Sequence, residues 1–214
     1  MTIDLGELLP PKTVIPVLQI NSADEAVPLA GALIQGGLRV LEITLRTDAA
    51  EQSARNIIQA FPDALVGIGT VRDAVGLQKA LSLNAGFAVS PGSTPELLTA
   101  ATESGLPFLP GVSTVSEVMT ARAAGFKAQK LFPAAHLGGT AMLKSLGALF
   151  EDVKFCPTGG VDRDNLADYL GQANVFSVGG SWLAPAGLVS AGEWQAIADL
   201  ARSAVETASR FAAQ

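Results

Sequence analysis

Lys130 stands in the middle of AQKLFP (Ala128–Pro133), a short apolar run with the character of a buried strand. Lysine is almost never fully buried unless another group pairs with it or a reaction uses it. Burial disfavours the charged form of an amine, and a neutral amine attacks carbonyl carbon. Two other lysines compete for that role. Lys127 opens the same run, away from its C-terminal edge, and reads as solvated. Lys154 shares the phase of Thr158 but lies about 13 Å before it along an extended strand, near the opposite end. Lys130 alone combines the right phase with the right depth. A surface lysine at a strand terminus is the competing reading of the same residue.

The run RVLEITLR, from Arg39 to Arg46, carries a second polar set. A period of two places Val40, Glu42, Thr44 and Arg46 on one face and Leu41, Ile43 and Leu45 on the other. The aliphatic face belongs against helices, so the polar face must point into an interior. Glu42 and Arg46 are about 13 Å apart along the strand, too far for an easy direct bond, which argues against a purely structural pair. Arg46 at the strand end has the fork to hold a carboxylate, and Glu42, one layer deeper, suits general acid/base chemistry.

Other strand ends bring further polar groups. Val66, Ile68 and Thr70 share a phase, with Thr70 last. Two later runs end in Thr158-Gly159-Gly160 and in Gly179-Gly180-Ser181. Paired glycines let the backbone approach an anion and aim N–H groups at it, which points to phosphate; ordinary tight turns are the alternative. Cys156 reads as a small buried hydrophobe one layer below Thr158, His136 as a loop residue, and Trp182 and Trp194 as packing residues.

These residues need elements to position them. Short apolar runs begin at Val14, Arg39, Ala64, Gly86, Pro107, Lys127, Val153 and Asn174, eight in all. Between them lie helical stretches with capping signals. Ser22 to Glu25 opens one, Pro95 falls near the first position of another, and Ser113 to Glu117 opens a third that Gly125 stops. A leading helix over Ile3–Leu9 and one or two helices from Gly192 onward complete the pattern. Strands alternating with helices imply a parallel sheet with right-handed crossovers. Eight such units predict a (β/α)8 TIM barrel, a single domain over residues 1–214, with active residues at the C-terminal ends of the strands. An open doubly wound sheet is the runner-up, but no G-x-G-x-x-G follows the first strand.

The bulk composition agrees. With 49% hydrophobic and 6% aromatic residues, the 214-residue chain suits many fully buried aliphatic strands. A net charge of -6 argues against nucleic acid as a partner. One cysteine and one histidine leave no internal disulfide and no Cys/His zinc site to assemble. The N-terminus has no basic start followed by an apolar run, and no stretch approaches a membrane span, so a cytoplasmic location is expected.

The motifs RVLEITLRT, GIGTV, SPGST, LPGVSTVSE, QKLFPA, FCPTGGV and VGGSWL, in order from about Val14 to Leu183, resemble those of the 2-keto-3-deoxy-6-phosphogluconate (KDPG) aldolases. That resemblance implies a class I lyase on a (β/α)8 barrel, with no metal and no cofactor. It implies that Lys130 forms the Schiff base and Glu42 shuttles protons. Arg46 and Thr70 would bind the pyruvyl carboxylate, with Pro91 and Phe132 lining the pocket. Thr158, Gly159, Gly160, Gly179, Gly180 and Ser181 would line the substrate and hold its phosphate. The partners implied are a phosphorylated 2-keto-3-deoxy sugar acid, pyruvate and glyceraldehyde 3-phosphate. The family is typically homotrimeric, serves the Entner–Doudoroff pathway of carbohydrate metabolism, and often also splits 4-hydroxy-2-oxoglutarate. Ile68 departs from the pattern, standing where a small residue is common; facing inward, it would tighten the pocket floor. Alternatives are an aldolase for the galactonate isomer, a sugar-phosphate isomerase or epimerase on the same barrel, and a small-molecule binding domain. The galactonate aldolase differs from the first reading at one hydroxyl configuration; neither the isomerase or epimerase nor the binding domain gives a reason for a buried amine at Lys130.

Overall fold

The structure is a computed structural model and describes residues 4–212. The strands are β1 Thr13–Leu18, β2 Val40–Thr44, β3 Leu65–Gly69, β4 Phe87–Val89, β5 Phe108–Leu109, β6 Gly111–Val112, β7 Ala128–Leu131, β8 Lys154–Phe155 and β9 Ser177–Gly180. The helices are α1 Leu5–Leu8, α2 Ala23–Gln35, α3 Ala50–Ala60, α4 Ala74–Ser82, α5 Pro95–Ser104, α6 Val115–Ala123, α7 Thr140–Leu149, α8 Leu166–Leu170, α9 Ala186–Ser190 and α10 Trp194–Ser209. Every pairing is parallel. This is an α/β fold with a curled parallel sheet. All eight expected runs supply strands, and the expected leading helix begins at Leu5, Ile3 lying outside the described residues.

The ladders do not form one continuous eight-stranded sheet. They form a six-stranded sheet ordered β5-β4-β3-β2-β1-β9 and a three-stranded sheet ordered β6-β7-β8. The break falls at Pro110, between β5 and β6, where the chain has no N–H to continue a ladder. The Pro110 carbonyl still accepts from the N–H of Lys130 at 2.8 Å.

Capping chemistry starts the helices where the sequence signals them. Thr114 and Glu117 close a reciprocal capping box on α6. Thr94 caps α5 just before Pro95, and Ser22 caps α2. The alternation of period two sorts each strand into two layers. Val14, Leu18, Leu41, Ile43, Val66, Phe155 and Val178 join the helix-facing core. Ile15, Val40, Phe87, Val89, Leu109, Ala128 and Cys156 meet in a separate inner cluster, with Leu5 and Leu9 from the α1 region. The carboxylate of Asp4 fastens α1 there, accepting from the N–H of Gly6 at 2.7 Å and of Ala128 at 3.1 Å. An apolar floor therefore underlies the next inward residues, Glu42 after Val40 and Lys130 after Ala128.

Ile68 belongs to the helix-facing core, fully buried, and not to the pocket floor. The inward positions of β3 are Gly67 and Gly69, whose open sides face Phe87 and Glu42. The expected phase failed because Thr70 adopts a left-handed backbone, with φ of 63°, and does not continue the alternation. Among the described residues no helix is long and apolar enough to cross a membrane.

Candidate active site

The C-terminal strand ends surround a cavity of about 450 Å³. It is lined by Thr44 and Arg46 from the β2 end, Lys130 and Phe132 from the β7 end, Thr158, Gly159 and Gly160 after β8, and Gly180 and Ser181 at the end of β9. Only 4% of Lys130 is exposed. Its Nζ donates to Glu42 Oε1 at 3.3 Å and lies 5.4 Å from the centre of the Phe132 ring. Glu42 is 3% exposed and reaches the cavity through this amine. Two charges buried together must satisfy each other, because either alone is far from water.

Arg46 is exposed on the cavity wall. Its Nε donates to Thr70 Oγ1 at 3.2 Å, and its guanidinium makes no ion pair among the described residues. The fork is thus aimed by Thr70 and open to an anion. The left-handed backbone of Thr70 is what turns its hydroxyl towards the arginine at the end of β2.

Gly159 and Gly160 follow Thr158 with φ of 93° and 76°, in the region that glycine enters freely. Their carbonyls are occupied: Gly159 accepts from Ala135 N–H at 3.0 Å and Gly160 from Asn165 Nδ2 at 3.0 Å. Among the described residues, the N–H groups of Gly159, Gly160, Val161 and Ser181 donate to no protein acceptor. Gly179 faces Thr158 instead of the cavity, giving that side chain room. Pro91 does not line the cavity; its carbonyl packs on the Cα of Gly111, where a side chain would collide with it. Gly111 pairs with Lys130, and Ser90 Oγ accepts its N–H at 2.9 Å, so the loop of Pro91 supports the strand register under the lysine.

Below this layer Cys156 is buried, its Sγ 3.8 Å from Thr158 Oγ1. Burial pushes the Cys156 thiol above the usual range, more than the hydroxyls of Ser177 and Thr158 and the charge of Lys130 pull it down. His136 is exposed in a single 3-10 turn after β7. Lys127 and Lys154 are exposed, the latter donating to the Ala173 carbonyl.

Part of the lining has no periodic signal in the sequence: Gln19, Asn21 and Glu25, from the end of β1 and the start of α2, line the cavity along with Ala184, Pro185 and Ser190. Gln19 and Asn21 follow β1 in an exposed connection that no periodicity marks, and Glu25 is half-buried in the first turn of α2. The polar pair Gln19 and Asn21 flanking Ile20 was the only available signal.

Taken together, the cavity offers an amine touching a carboxylate, a guanidinium with no ion pair among the described residues, and backbone N–H groups that donate to no protein acceptor. Such a set can condense an amine with a ketone, move a proton beside it, and hold anions. Known proteins match it over most of the chain. The family model described as "Aldolase: KDPG and KHG aldolase" covers residues 6–200. The 2-dehydro-3-deoxy-phosphogluconate aldolase of Dickeya dadantii is 46% identical over 93% of this chain and 93% of its own. The KHG/KDPG aldolase of Escherichia coli K12 is 47% identical over 91% of this chain and 92% of its own. Among solved structures, the KDPG aldolase of Legionella pneumophila, with pyruvate captured at low pH as a covalent carbinolamine intermediate, superposes with a TM-score of 0.91. It is 42% identical, over 94% of this chain and 98% of that one. The chain belongs to the KDPG and KHG aldolase family.

Proposed function

We propose that this protein is a class I aldolase that cleaves KDPG to pyruvate and glyceraldehyde 3-phosphate through a Schiff base on Lys130. The observation that carries this reading is the buried Lys130–Glu42 contact at 3.3 Å, at a cavity that Arg46 and the two glycine turns border.

Lys130, as the neutral amine, attacks the C2 ketone and forms a carbinolamine, the species captured in the Legionella pneumophila enzyme. Loss of water gives a cationic imine, an electron sink. Glu42, in contact with the same nitrogen, takes the proton of the C4 hydroxyl directly or through a water. The C3–C4 bond then breaks. Its electron pair moves into the imine as an enamine, and glyceraldehyde 3-phosphate leaves. Protonation at C3 and hydrolysis release pyruvate and restore Lys130. Arg46, aimed by Thr70, holds the pyruvyl carboxylate in this reading, and Phe132 packs beside the imine. The free N–H groups of Gly159, Gly160 and Ser181 take the phosphate, while Thr158 lines the substrate. Gly180 lines the cavity beside them, and Gly179 and Pro91 shape the walls from behind.

The finer architectural reading goes with it. A single closed (β/α)8 barrel is supported by the split fifth strand, whose halves pair with β4 and with β7, and by the bridges Phe155–Val175 and Thr158–Gly179 that link β8 and its exit to the β9 region. The family resemblance alone supports a homotrimer, a cytoplasmic location, a place in the Entner–Doudoroff pathway and activity on 4-hydroxy-2-oxoglutarate. The test is pyruvate release from KDPG, followed through lactate dehydrogenase. Wild type should turn over, and Lys130→Ala should lose activity by several orders of magnitude while remaining folded. Retained turnover in Lys130→Ala would sink the assignment.

A further inference from the structure

The carboxylate of Glu42 has a lysine on one side and a glycine on the other. Gly69 ends β3, paired with Thr44 two residues beyond Glu42. A Cβ built on Gly69 would overlap Glu42 Oε1 and stand 2.7 Å from its Cγ and 2.8 Å from its Cδ. Carbon atoms in contact sit about 3.5–4.0 Å apart, so a methyl group here would drive the carboxylate away by roughly 1 Å. Gly69 is absent from the residues with positive φ. Its backbone therefore does not demand glycine; the space does. The Glu42 side chain lies against the bare Cα, and only that leaves its Oε1 at 3.3 Å from Lys130 Nζ.

We propose that Gly69 is a positioning residue that seats the Glu42 carboxylate on the reacting nitrogen. The proposal rests on the aldolase reading for its catalytic half. Its packing half stands on geometry alone. Gly67, one inward position earlier on the same strand, provides the comparison. A Cβ there would strike the Phe87 ring, which belongs to the apolar floor and takes no part in the chemistry. Gly67→Ala is thus an overpacking change of similar size one layer below the site.

Two measurements test this. The first compares wild type, Gly69→Ala and Gly67→Ala in KDPG turnover, in borohydride trapping of pyruvate, and in exchange of the pyruvate methyl protons with D2O followed by NMR. Exchange needs proton transfer beside the imine, whereas trapping needs only the imine. A 1 Å misplacement at a reacting group costs about 100-fold. Gly69→Ala should lose about 100-fold in both turnover and exchange and keep its trapped adduct, while Gly67→Ala stays within about 3-fold of wild type. Wild-type exchange in Gly69→Ala, or parallel losses in both variants, would overturn the proposal. The second is a thermal double-mutant cycle with Glu42→Ala, valid even if Gly69→Ala alone does not fold. The melting-temperature penalty of Gly69→Ala should vanish once the Glu42 side chain is gone, and a penalty that persists overturns the packing half. Wild type that neither exchanges nor traps pyruvate overturns the aldolase reading and the catalytic half with it, leaving the cycle to decide the packing.

Discussion

Replacing Lys130 with methionine keeps the side-chain bulk and removes one charge of a buried pair. The side chains of Lys130 and Glu42 are 5% and 4% exposed and 3.3 Å apart. At an effective dielectric constant near 20, that separation corresponds to an attraction of about 5 kcal/mol. Desolvation of both groups offsets most of it, so the intact pair adds little net stability. Losing one partner is different: the remaining charge is stranded, at a cost of about 3–5 kcal/mol. For a chain of this size that lowers the melting temperature by roughly 6–20 °C. Glu42→Gln should destabilise for the same reason. The double variant Lys130→Met/Glu42→Gln removes both charges and should return to within about 2 kcal/mol of wild type. Urea unfolding at pH 7, followed by circular dichroism, gives the four stabilities. The coupling should be about 4 kcal/mol or more. The exposed pair Lys79–Glu51, with side chains 47% and 41% exposed, should give under about 1 kcal/mol in the same assay. A Lys130–Glu42 coupling as small as that would refute the claim that the two charges depend on each other.

Arg46→Lys keeps the charge but loses the fork and the bond to Thr70. The loss of one or two charge-assisted hydrogen bonds predicts a fall of roughly 10- to 150-fold in kcat/KM for KDPG cleavage, and an unchanged value would remove the guanidinium from substrate binding. Gly160→Ala forces alanine to a φ of 76° and sets its Cβ against Ala135. It should impair cleavage of KDPG more than that of unphosphorylated 4-hydroxy-2-oxoglutarate, and equal losses would argue against phosphate at this turn. Cys156 is 2% exposed, and burial raises its thiol above the usual range, which shrinks the thiolate fraction at any given pH. Native protein at pH 8 should stay unmodified by Ellman's reagent over minutes and react fully in urea; fast modification of the native form would place the thiol outside the inner cluster.

Much of this site could be read from the sequence because strands alternate. The polar face of β2 and the depth of Lys130 follow from counting by two, and the structure puts Glu42 and Lys130 on inward positions at one level. Counting failed where the backbone left the β region. Thr70, with φ of 63°, does not continue β3, so Ile68 turned out to face the helices while Gly67 and Gly69 face inward. That is also why Gly69 went unnoticed. A glycine carries no side chain to signal a role, and its contact with Glu42 joins residues 27 positions apart (69 minus 42). Gln19 and Asn21 carry no signal because a connection after a strand has no period to read, and Glu25 in the first turn of α2 reads as capping chemistry alone. The division of the sheets at Pro110 had a visible cause in the proline of PFLPG, but which ladder each half would join depends on its neighbours in space.

The central claim is a covalent bond between Lys130 and a 2-keto acid. Incubating the protein with pyruvate and borohydride, then mapping the adduct by mass spectrometry of peptides, tests it most directly. A pyruvate-derived secondary amine on Lys130, and its loss in Lys130→Ala, is the predicted result. Folded protein with no adduct, or an adduct on Lys127 or Lys154 in its place, would contradict it.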